Sequence, residues 1–157
     1  TGRTGYDRRG GPSSRSSDPA GRFPAERSEA MTAVGMLARM ILLEDPRESE
    51  AIRKGTLLCA SRLPVWNPED GSIDACYWYH GALAMFEVGG TAWKSWSDAM
   101  RAAIVDRQRR DGDPCTFLGS WDPVDPWGED GGRVYSTALL TMCLEVYYRY
   151  DKVFKPH

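Results

Sequence analysis

A chain of 157 residues with 41% hydrophobic and 27% charged side chains can build one ordinary core and is too apolar to stay disordered. Its formal net charge of −2 gives no electrostatic reason to expect nucleic acid or an anionic membrane as a partner. No apolar run reaches the ~20 residues of a membrane span and no signal peptide is visible. Thr1 is not a natural start, so the absence of a visible targeting signal leaves the compartment open.

Residues 1–28 are rich in Gly, Ser, Arg and Pro and show no apolar period. They read as a loop or tail, ordered only where it docks, with its basic side chains in solvent. A helical domain is expected over 29–157. Ser28 can cap a broadly apolar helix from Glu29 to about Leu43, with Met31, Val34, Leu37 and Ile41 on one face and Met36, Met40, Leu42 and Leu43 filling the rest. Asp45-Pro46-Arg47-Glu48 looks like the start of a second helix, with Asp45 as N-cap and Pro46 in the first turn. That helix is amphipathic and is expected to end at Pro64.

The stretch from Gly71 to Gly90 follows. Ser72 is the expected N-cap, and Gly89-Gly90 can end the helix in the left-handed conformation. Between them the residues are apolar or aromatic almost all the way round, which predicts a helix surrounded by other helices. Its polar groups, Asp74, Cys76 and His80, lie in the first turns, so this helix mouth is the expected place for any chemical site. Thr91 can cap an amphipathic fourth helix with Trp93, Trp96, Met100 and Ile104 on one face. A connection from Arg110 to Gly132, dense in Gly, Pro, Asp and Trp, leads to a mostly apolar last helix from about Arg133 to Tyr150. Apolar helices therefore begin near Glu29, Ile73 and Arg133, about 44 and about 60 residues apart, which is a helix-pair period. Alternating all-round-apolar and amphipathic helices predict two layers, inner and outer, in an all-α fold that is part of an α/α toroid. A straight solenoid is the competing arrangement. The four cysteines show no C-x-x-C spacing and read as independent thiols, three of them buried; pairing is left open.

Gln108-Arg-Arg-Asp-Gly112, resumed at Gly119-Ser120-Trp121, resembles the QW repeat (Q-x-x-x-G-x-W) of the prenyltransferase and squalene cyclase superfamily, interrupted here between Gly112 and Gly119. Asp70-Gly71-Ser72 is similar to the same turn one repeat earlier, with Ile73 in place of Trp. Tyr77-Trp78-Tyr79-His80-Gly81 and Gly132-Arg133-Val134-Tyr135-Ser136-Thr137 resemble the inner-helix starts of squalene cyclase-like repeat proteins. The resemblance implies an α/α toroid, of which five helices supply about two and a half pairs. It implies that Asp74, Cys76, Tyr77, His80, Tyr135 and Ser136 line the central cavity, and that Gln108, Gly112 and Trp121 form the repeat turn.

Three chemistries can be weighed on these residues. Asp74-x-Cys76 resembles the Asp-x-Cys zinc ligands of protein prenyltransferase β subunits, but the position of their histidine reads Ser136, a poor ligand, and His80 is an uncertain substitute. Zinc is therefore disfavoured, and no cofactor is expected. Asp122-Pro-Val-Asp125 and Glu129-Asp130 do not give the Asp-x-Asp-Asp acid of squalene-hopene cyclases, although aromatic residues abound. Ser136, His80 and Asp74 are the residue types of a hydrolase, but no nucleophile elbow and no Gly-Cys-Gly-Glu-Gln thioester motif is present. The expected function is a noncatalytic helical-repeat binding or interaction module. Its expected partners are an isoprenoid-like small molecule, the rest of a toroid, or a second copy through an open edge. The alternative is a portion of an isoprenoid-processing enzyme whose acid or metal ligands lie outside this chain.

Overall fold

A computed structural model describes residues 2–15, 21–111 and 115–149. Among them the fold is all-α: α1 (Ala30–Ile41), α2 (Glu50–Ala60), α3 (Ala75–Val88), α4 (Gly90–Ile104) and α5 (Gly128–Arg149), with no strand. α5 is kinked at Gly132 (φ 65°), so its straight part begins at Arg133.

The helix ends show where local chemistry decides. Gly89 and Gly90 take φ of 74° and 58°, which ends α3 and turns the chain straight into α4. α4 thus begins one residue before Thr91, with Gly89 as a cap that has no side chain, which corrects the expected Thr91 cap. Asp45 also does not cap α2. Its Oδ1 accepts from the Arg47 amide in a separate turn, and Ser49 caps the helix by accepting from the Ile52 amide. α3 is capped by Asp74 rather than Ser72, its Oδ1 accepting from the Tyr77 amide at 2.8 Å. α1 closes on Leu43, a non-glycine residue at φ 65°. The Leu43 amide donates to the Met40 carbonyl and the Glu44 amide to that of Arg39, the paired bonds of a Schellman turn.

α1, α3 and α5 stand side by side with α3 in the middle; α2 packs on α1, α4 packs on α3, and α2 touches α4. The alternation of patterns thus becomes a row of three and a row of two. The core lies between the rows. Ile52 of α2 and Trp96 and Ile104 of α4 are fully buried against Met36, Tyr77, Trp78, Ala82 and Met85 of α1 and α3. A Cβ on Gly81 would sit 2.3 Å from Trp96 Cζ2, so the indole lies directly on the α3 backbone. α5 is less enclosed than its composition suggests. Leu140, Cys143 and Val146 face the core, whereas Val134 is 83% and Tyr148 87% exposed, on the side that no other element covers among the described residues.

The N-terminal segment 2–15 is docked, and two of its basic side chains, Arg3 and Arg15, correct the expectation of a solvated tail. Ser13 Oγ accepts from the Met31 amide at the start of α1. Two residues on, Arg15 reaches Asp74 at the start of α3. Arg3 pairs with buried Glu29. Residues only two apart cannot span more than ~7 Å, so the N-termini of α1 and α3 lie at the same end of the row.

Candidate functional site

Of the expected mouth, Asp74, Cys76 and Tyr135 share one electrostatic neighbourhood, and two further residues, Arg15 and Asp125, join it. Asp74 is 2% exposed. Besides capping α3, it faces Arg15, whose Nη1 lies 2.9 Å from Oδ2 in an ion pair held by charge without hydrogen-bond angles. The same Nη1 donates to the Ser14 carbonyl and Nε to the Phe23 carbonyl, whereas Nη2 finds no partner among the described residues. Asp125 enters from the turn before α5. Its Oδ2 accepts from the Ala75 amide at 3.1 Å and its Oδ1 from the Trp127 amide at 3.2 Å. One carboxylate thus ties the turn before α5 to the first turn of α3, and all three helices of the row begin at one end.

Burial, reinforced by the Asp74 charge and opposed by the two amides and Arg15, pushes the Asp125 carboxyl up to about 6. Burial, again with Asp74 and Asp125 beside it, pushes the Cys76 thiol up to about 11. Cys59 rises to about 12, chiefly by burial, and burial lifts Cys143 as well. None of these thiols is an activated nucleophile. The Tyr135 phenol is raised by burial and by the charge of Asp125, which places it in the same electrostatic neighbourhood. The Tyr135 and Ser136 hydroxyls have no hydrogen-bond partner among the described residues.

The other expected site residues separate. His80 Nδ1 lies 2.8 Å from the Cys76 carbonyl, which can only accept, so Nδ1 carries the proton and points along its own helix; Cys76 Sγ is 3.7 Å from the same nitrogen. Tyr77 turns away from the mouth: its hydroxyl donates to the Arg62 carbonyl beyond α2 at 3.0 Å, and its ring meets Trp96 edge-on at 5.4 Å. In the repeat-like turn, the Trp121 indole N–H donates to the Ile104 carbonyl at the end of α4 (2.8 Å), and the Gln108 amide donates to the Gly119 carbonyl (2.9 Å). Each side chain ties its own end of the turn through a backbone carbonyl. Gly112, the third residue of that turn, lies outside the described residues. Asp122 closes the same connection, held by both Arg109 and Arg133, which keep its carboxyl below the usual range.

The donor set does not fit a catalytic zinc. Asp74 is engaged by an amide and a guanidinium, the Cys76 thiol is held protonated by its surroundings, and His80 Nδ1 carries a proton directed at a carbonyl. Among the described residues no three His, Cys, Asp or Glu side chains converge on one point.

Arg15 and Asp125 are absent from the expected site. Arg15 sits in a segment without periodicity and is brought in only by docking of that segment. Asp125 did carry a local signal, an Asp two residues before a tryptophan at a helix start, which is the spacing of an Asx turn.

Compared with known proteins, the chain matches no protein-family model, no curated protein and no solved structure.

Proposed function

We propose that this chain is a noncatalytic helical-repeat module, part of a larger α/α toroid of the squalene cyclase and prenyltransferase kind, that works by binding rather than by chemistry. The observation that carries this reading is the engagement of both carboxylates at the helix mouth. Asp74 and Asp125 accept three backbone amides between them, and Asp74 also pairs with Arg15, so both are engaged in holding the helix starts. A general acid or base must instead present its proton-carrying atom to a substrate. The raised thiols at Cys59, Cys76 and Cys143 support the same reading.

Product analysis after incubation with squalene, and with farnesyl diphosphate plus a thiol acceptor, tests this reading. Substrate is expected to be recovered unchanged. Turnover by the purified chain that disappears in Asp74→Asn would overturn the proposal and make this a catalytic part of an isoprenoid enzyme.

A further inference from the structure

Away from the helix mouth, a cleft of about 620 Å³ opens between the docked segment 2–9 and the faces of α1 and α2. Its walls carry four cations: Arg3 and Arg9 from the segment, Arg39 from α1 and Lys54 from α2. Glu50 is its only acidic lining residue among the described residues. Their pairing is uneven. Arg3 is committed to Glu29, a carboxylate that is 1% exposed. Arg39 and Lys54 sit in solvent-exposed pairs with Glu44 and Glu50, contacts that contribute little and exchange readily for a better partner. Arg9 is exposed and makes no ion pair among the described residues.

The backbone is shaped for close approach. The segment crosses α1 so tightly that a Cβ on Gly35 would lie 2.3 Å from Thr4 Oγ1, and the Thr4 amide donates to Thr32 Oγ1 on the floor of the cleft. Met36 and Ala51 supply an apolar flank beside the cations. Guanidinium and ammonium groups from three separate elements, at one opening with an apolar side, suit a compact oxyanion with an organic substituent.

We propose that this cleft binds a tetrahedral oxyanion ester, a phosphate or sulfate monoester, with Arg9, Arg39 and Lys54 as the anion ligands. Arg3, locked by Glu29, positions the segment that carries Arg9. The cleft shares no side chain with the helix mouth, so this inference stands or falls independently of the module reading.

The experiment is an amide-resolved NMR titration of the whole chain at constant ionic strength. Phenyl phosphate, phenyl sulfate, inorganic phosphate and sodium chloride are the four additions. Saturable shifts at Gly5, Gly35 and Ala51 are expected with the esters and not with chloride. Tighter binding of phenyl phosphate or of phenyl sulfate assigns the ester class. Arg9→Gln and Lys54→Gln should each weaken binding by about tenfold, the scale of one charge-assisted contact, while Lys94→Gln on α4 leaves it unchanged. Gly35→Ala should abolish binding with every charge in place, because the methyl displaces Thr4. Shifts that do not saturate, shifts reproduced by chloride, or an Arg9→Gln affinity equal to that of the parent chain would each overturn the site.

Discussion

Replacing Asp125 by asparagine should change how the stability of this protein depends on pH. The carboxyl is pushed from its ordinary 3.8 to about 6 in the folded chain, first by burial and then by the charge of Asp74. Folding therefore favours the protonated form. A raised acid stabilises the fold below its unfolded value and loses that contribution as pH rises through the folded value, so the window runs from about 4 to about 6. The full difference corresponds to about 3 kcal/mol, of which about 1.4 kcal/mol lies between pH 5 and pH 7.5. Asp70 and Asp122, held below their ordinary values by hydrogen bonds and nearby arginines, act in the opposite sense but only as pH falls below about 4. Asparagine keeps an oxygen for the Ala75 amide and loses the acceptor for the Trp127 amide, which costs about 1 kcal/mol at every pH. Urea unfolding at pH 5 and pH 7.5 should show the parent chain more stable at the lower pH by about 1–1.5 kcal/mol relative to Asp125→Asn. Parallel changes in the two proteins, or a parent chain relatively less stable at pH 5, would refute the argument.

Trp121→Ala removes an indole that is 3% exposed and frees the Ile104 carbonyl; it should cost about 3–5 kcal/mol in urea unfolding, and a loss below about 1 kcal/mol would mark Trp121 as a surface aromatic. Leu43→Gly should stabilise by up to about 1 kcal/mol, because the side chain is 86% exposed and only the left-handed backbone resists it; a lower melting temperature would contradict this. Elemental analysis of the purified chain should find no stoichiometric zinc, and Cys76→Ala should retain the far-ultraviolet circular dichroism of the parent; about one zinc per chain, lost in that variant, would reverse the conclusion about the donor set.

The reach of the interactions explains what could be read from the sequence. Gly89 and Gly90 were legible because a backbone at positive φ leaves a local trace in residue type. The alternation of apolar and amphipathic helices was legible because burial imposes a period. The start of α2 was not, because Asp45 and Ser49 are both capping residues one turn apart. The structure uses Asp45 for a turn, and Glu44 accepts from the Ser49 hydroxyl at 2.6 Å beside the α2 start. Asp74 prevails over Ser72 at α3 with an arginine 59 positions earlier in the chain beside it, a relation no window of local sequence contains. The exposed face of α5 was missed for a related reason: composition marks Val134 and Tyr148 as apolar, but only the packing shows that no helix covers them.

A common device links these points. Two helices of the three-membered row begin next to an acidic residue met by an arginine from the docked N-terminal segment, Glu29 by Arg3 and Asp74 by Arg15; in the connection ahead of α5, Asp122 is held by Arg109 and Arg133. Of these only Arg15–Asp74 is buried at both partners; a pair of that kind adds little net stability, yet removing one partner is costly because it strands the other charge. The stronger effect of the pairs is on register. A carboxylate at a helix start and a guanidinium from another segment fit in only one alignment, so the pairs fix which segment crosses which helix mouth. Residues 2–15, without a periodic pattern of their own, gain their place through Arg3 and Arg15 together with Ser13. The same alignment brings Arg9 to the rim of the cleft on α1 and α2, so one set of contacts closes the helix mouth and opens the cationic cleft beside it.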